Sequence, residues 1–73
     1  MTNLSKKYQV FLGKKIRELR EKMGISQERL GELAKVHRTY VGMVERGEKN
    51  ITISNILKFA QALGVQVRDL IDF

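Results

Sequence analysis

Arg38, Thr39, Gly42, Met43 and Arg46 lie at spacings that put them along one side of a 3.6-residue helix, while His37, Tyr40, Val41 and Val44 fall on the other. The first set can do recognition chemistry. An arginine fork donates two parallel hydrogen bonds to guanine O6 and N7, a contact that discriminates by about 1–3 kcal/mol. Thr39 offers a hydroxyl to a base edge and a methyl to thymine, and Gly42 and Met43 allow close approach and apolar contact. An exposed face that mixes a glycine, a methionine and two arginines is unusual for plain solvation.

Bond-making chemistry has little to work with. The chain has one histidine and no cysteine, so it offers no Cys/His nucleophile pair, no zinc cluster and no phosphate-cradling loop. Its carboxylates mostly sit beside basic residues on outward helix faces. No enzyme, cofactor or metal is expected. His37 is read as a helix cap or packing residue. Tyr40 is read as a core-edge aromatic, since single-strand binders interleave several aromatics and this chain scatters its five.

Charge points the same way as the arginine face. The net charge of +6 lies wholly in residues 1–50, with 12 basic and 6 acidic side chains. Residues 51–73 balance Lys58 and Arg68 against Asp69 and Asp72. One end is electropositive and suits a polyanion; the other is neutral and apolar. No apolar run reaches the roughly 20 residues that span a bilayer, and no secretory pattern opens the chain. The expectation is a cytoplasmic protein with no membrane partner.

The elements that must position these groups read as helices, giving an all-α, five-helix domain over 1–73, with 1–5 a loose arm and Ser5 a candidate cap. Leu12, Ile16, Leu19 and Met23 form one stripe of a first helix from about Lys6 to Lys22, ended by Gly24. Ser26 is placed to cap a second helix with Leu30, Leu33 and Ala34 inward. Gly31 in mid-helix costs about 1 kcal/mol against alanine, which implies a helix backbone passing close by. Arg38 to Arg46 is the third helix, stopped by Gly47. Residues 27–46 thus read as a helix-turn-helix. Thr52 caps a fourth helix with Ile53, Ile56, Leu57, Ala60 and Leu63 aligned and Phe59 off the stripe; Gly64 closes it, and Val67, Leu70 and Ile71 make a short fifth. The brief Asn50 to Ile53 is the one strand-like stretch.

Residues 51–73 carry 13 hydrophobic side chains in 23, more than one side of two short helices needs. Plain core is one reading of that excess. A seam with a second copy is the other, with Ile51, Ile53, Phe59, Leu63, Val65, Val67 and Phe73 as candidates. A chain of 73 residues buries only about 60% of its unfolded surface, which also favours self-association.

The segments Gly13 to Arg20, Ser26 to Leu30, Glu45-Arg46-Gly47 and Ala62 to Val65, in that order and spacing, resemble the lambda-repressor/Cro-like (XRE) helix-turn-helix family from Leu12 to about Leu70. His37 to Tyr40, Val44 to Gly47 and Lys49 to Ile53 are most similar to the small controller proteins of restriction–modification systems. The resemblance implies base contacts from Arg38, Thr39 and Met43, and backbone contacts from Gln27, Arg46, Lys49, Asn50, Thr52 and Ser54. It implies an internal ion pair between Arg20 and Glu45. Two departures are Lys35 where the turn usually carries glycine, and Gly31 where the helix usually has alanine. A lysine held in left-handed geometry costs about 1 kcal/mol.

The function implied is a homodimeric transcriptional regulator on a near-palindromic operator, with double-stranded DNA, a second copy and RNA polymerase as partners. The rival is an antitoxin or phage-type repressor whose carboxyl-terminal face binds a different protein.

Overall fold

In a computed structural model, which describes residues 5–72, the chain forms helices α1 (Lys6–Lys22), α2 (Gln27–Ala34), α3 (Arg38–Glu45), α4 (Ile53–Leu63) and α5 (Val67–Ile71). No strand occurs among the described residues, so Asn50 to Ile53 is an extended connection rather than a sheet element. The first four residues of the expected arm, and Phe73, lie outside the described range. Within that range no helix is long and apolar enough to cross a membrane.

Local chemistry sets the helix boundaries. Ser26 accepts the Arg29 N–H at 3.0 Å, and Thr52 accepts that of Asn55 at 3.2 Å, each satisfying an orphan donor of a first turn. At α5 the Gln66 N–H donates to Asp69 across a capping box. Ser5 makes no side-chain cap, contrary to expectation. Gly24 and Gly64, with φ of 69° and 70°, end α1 and α4 in the left-handed region that glycine enters at low cost.

The core takes Leu12 and Ile16 from α1, Leu30 and Ala34 from α2, Val41 and Val44 from α3, Ile56, Phe59, Ala60 and Leu63 from α4, and Leu70 from α5, with Ile51 beside them. The α1 stripe fades along its length: Leu19 is half-buried and Met23 is exposed. Fully burying a large apolar side chain is worth about 1.5–3 kcal/mol, and Phe59 presents the most area. It therefore turns α4. Phe59 is 0% exposed and stacks on Tyr40 with ring centroids 6.2 Å apart, whereas Ile53 is 61% and Leu57 46% exposed. The inward stripe is 56, 59, 60 and 63: Ile56, Ala60 and Leu63 face inward as expected, while Phe59 takes the place expected for Ile53 and Leu57.

That rotation corrects the proposed seam. Ile51, Phe59 and Leu63 are consumed by the chain's own core and present nothing to a second copy. Ile53 remains outside, and Val65 and Val67 are half-buried against the core edge. Leu57, absent from the expected set, joins Ile53 one turn along.

Between α2 and α3 the chain turns in three residues. Lys35 sits at φ 61° and ψ 43°, the one non-glycine with positive φ among the described residues. A Cβ on Gly31 would lie 2.7 Å from the Val36 carbonyl oxygen and 3.3 Å from the Arg38 nitrogen. The α2 backbone thus meets the backbone of the turn and of the first residue of α3, which is the reason for a glycine here. Turning Gly31 toward α3 swings Leu33, two residues on, to the outside, where it is exposed rather than inward.

Candidate nucleic-acid interface

α3 is short, and everything about its placement depends on what grips it. Its first turn is capped by His37, whose Nδ1 accepts the Thr39 N–H at 3.0 Å. His37 is itself exposed, not inward as its spacing suggested, because a cap side chain folds back over the helix end instead of joining the packed face. Val41 and Val44 are buried. Tyr40 packs on the core edge, and its hydroxyl accepts a hydrogen bond from Asn55 Nδ2 at 3.0 Å.

The far end of α3 is held by α1. Arg20 donates from Nε to Glu45 Oε2 at 2.7 Å and from Nη2 to Oε1 at 3.1 Å, and its Nη1 donates to the Ile25 carbonyl at 2.9 Å. Gln27 Nε2 donates to Glu45 Oε1 at 3.0 Å. The Glu45 side chain is only 2% exposed and fully occupied. The hydrogen bond from Arg20 to Glu45 is the main cause that raises the guanidinium pKa above its ordinary value, against a smaller opposing effect of burial. A second grip is steric. A Cβ on Gly13 would lie 2.2 Å from the Val44 carbonyl oxygen and 2.8 Å from that of Glu45, so α1 runs directly against the last turn of α3.

What this frame holds outward is the set read from the sequence. Arg38, Thr39 and Arg46 are exposed, and Met43 is half-buried beside them. Gly42 is not part of the open face. It is buried beneath the Arg46 guanidinium, whose Nη1 lies 3.1 Å from where a Cβ would stand, and beside the Gln27 amide at 3.5 Å. Gln27 therefore sits at the start of α2 with its nitrogen engaged by Glu45 and its oxygen beside α3.

Beyond α3 the chain runs through an exposed loop that carries Glu48, Lys49 and Asn50. The first turn of α1 tacks this loop down: Lys6 Nζ donates to the Gly47 carbonyl and Gln9 Nε2 to Asn50 Oδ1. Lys49 and Ser54 are exposed, while the Thr52 hydroxyl is spent on its cap and the residue is half-buried. Among the described residues no group of His, Cys, Asp and Glu could hold a metal ion.

A sequence model of the helix-turn-helix family (HTH_3) matches residues 16–70, from mid-α1 to the end of α5. The chain belongs to that family. It is a helix-turn-helix transcriptional regulator of the lambda-repressor/Cro type, with α2 and α3 as the two helices of the motif. Control protein C.BamHI of Bacillus amyloliquefaciens is 45% identical over 65 residues, covering 88% of this chain and 80% of that protein. The restriction–modification controller protein C.AhdI of Aeromonas hydrophila superposes with a TM-score of 0.83 at 48% identity, over 85% of this chain and 94% of that one. The P22 c2 repressor, solved in complex with a synthetic operator, superposes at 0.79 with 30% identity, over 84% and 92%.

Several contributors to this regulator's site were not read from the sequence. Lys6 and Gln9 reach the loop across 41 residues, a separation no local pattern reveals. Asn55 steadies Tyr40 from α4. Glu48 pairs with Arg46 at a spacing of two, which does not bring side chains together on a helix and does so here only because the chain reverses at Gly47.

Proposed function

We propose that this regulator binds double-stranded DNA as a homodimer on a near-palindromic operator and controls a restriction–modification system. The observation that carries the DNA reading is the joint exposure of Arg38, Thr39 and Arg46 on an α3 fixed at both ends. Arg38 and Thr39 read base edges, and Met43 makes apolar contact beside them. Gln27, Arg46, Lys49, Asn50 and Ser54 meet the backbone and set register, with Thr52 contributing what its cap leaves free. Two copies would present recognition helices about one DNA turn apart, roughly 34–36 Å.

The pairing surface proposed is the exposed Ile53 and Leu57 with the half-buried Val65 and Val67, in the carboxyl-terminal segment whose own charges balance. Similarity to C.BamHI and C.AhdI supports the controller role. Fragments selected from the source genome, footprinted and then titrated at about 0.15 M salt, test the reading. Specific binding upstream of the chain's own gene or of a neighbouring methyltransferase or endonuclease gene supports it. Sedimentation of the protein alone should give a dimer. A monomer that pairs only with a neighbouring small protein would favour the antitoxin reading instead.

A further inference from the structure

Arg46 Nε donates to Glu48 Oε2 at 3.0 Å and Nη2 to Oε1 at 3.2 Å. This is the two-pronged edge of the guanidinium, the same edge that takes a phosphate in fork geometry. Both side chains are about half exposed, at 58% and 48%. Between Lys35 and Arg68 the sequence holds two acids, Glu45 and Glu48, and Glu45 is buried against Arg20. Glu48 is therefore an exposed anion in a stretch that carries Arg38, Arg46 and Lys49 and faces the proposed duplex.

Nothing in folding calls for it. An exposed pair of this kind adds little to stability, and Gly47, not Glu48, makes the turn. The carboxyl is well kept as an anion: hydrogen bonds from Arg46 are the main cause holding it below the usual glutamate range, with the Lys6 charge adding to them.

We infer that Glu48 is an internal stand-in for a DNA phosphate, occupying the Arg46 fork in the free protein until a backbone phosphate displaces it. The inference rests on the DNA-binding reading above. Arg46 exchanges one anion for another on binding, so its net gain is smaller than that of an unpaired arginine. The released carboxylate then lies against a polyanion and is repelled. Glu48 thus weakens contact with any duplex backbone, the sequence-independent part of binding.

The test is Glu48→Gln, titrated by fluorescence anisotropy against a random-sequence duplex. Affinity should rise about threefold to tenfold at low salt, and the gain should shrink toward about 0.15 M salt because it is electrostatic. In an Arg46→Gln background the same substitution should gain distinctly less. Thermal unfolding should be unchanged, since both side chains are exposed. A Glu48→Gln protein that binds no tighter than wild type, or gains equally without Arg46, overturns the role of Glu48 and leaves the DNA reading standing. Wild-type protein that binds no duplex at all overturns the DNA reading itself.

Discussion

Arg20 and Glu45, 25 residues apart in sequence, face each other in parallel with Nε to Oε2 at 2.7 Å and Nη2 to Oε1 at 3.1 Å. The pair joins the body of α1 to the last turn of α3, and Gln27 ties the start of α2 into the same carboxylate. Three helices thus share one anion at the point where α3 ends. Removing one partner leaves the other buried and uncompensated, so Glu45→Gln or Arg20→Ala should cost about 3–5 kcal/mol in chemical denaturation. Replacing both with apolar residues of similar size should cost distinctly less. A single-variant loss below about 1 kcal/mol would mean the pair is solvated and contributes like a surface bridge.

Gly13 is the other tie. A methyl group there would stand 2.2 Å from the Val44 carbonyl oxygen, and backbone cannot move aside as a flexible side chain can. Gly13→Ala should destabilise by about 1–3 kcal/mol, as overpacking does. It should also weaken operator binding beyond what stability explains, because α1 must shift against α3. Alanine tolerated at wild-type stability would show that the helices have room to separate.

Lys35 works in the opposite direction. Its φ of 61° is strained for a side chain with a Cβ. Lys35→Gly should stabilise the protein by about 1 kcal/mol, raising the unfolding midpoint measured by circular dichroism.

His37 caps α3 through Nδ1, so His37→Ala should lose about 0.5–2 kcal/mol and His37→Asn much less, since asparagine can accept the same Thr39 N–H. Hydrogen exchange at Thr39 and Tyr40 should speed up in the alanine variant. Unchanged exchange would mean that packing, not the cap, holds the first turn.

Features fixed by adjacent residues were the legible ones. The span of α1, the caps at Ser26 and Thr52 and the ends at Gly24 and Gly64 follow from side chains beside the backbone they serve. Crowding at Gly31 was legible because a mid-helix glycine weakens its own helix and is kept where a neighbouring backbone leaves no space for a Cβ. The outward placement of Arg38, Thr39 and Arg46 was legible because Val41 and Val44 fix the opposite face.

Rotation was not legible where two apolar stripes both fit the period. In α4 a stripe through Ile53 and Leu57 competes with one through Phe59, and the contact with Tyr40 decides between them. The same ambiguity put Phe59 and Leu63 in a seam with a second copy, whereas Leu33 faces out because Gly31 is turned toward α3 and His37 because it caps the helix. Of the partners distant in sequence, Arg20 and Glu45 were indicated by the family resemblance alone, while Lys6 to Gly47 and Gln9 to Asn50, each 41 residues apart, left no local pattern; nor did the pairing of Arg46 with Glu48 across the turn.

Whether the outward face of α3 reads bases is decided by the affinity ratio between a selected operator and a scrambled duplex, measured for wild type and Arg38→Ala. Wild type should prefer the operator by about a thousandfold or more at about 0.15 M salt. Arg38→Ala should lose about 1–3 kcal/mol on the operator, relax base choice at one position per half-site, and bind the scrambled duplex far less altered. Equal wild-type affinity for the two duplexes, or an Arg38→Ala loss of the same size on both, would mean that this face does not read bases.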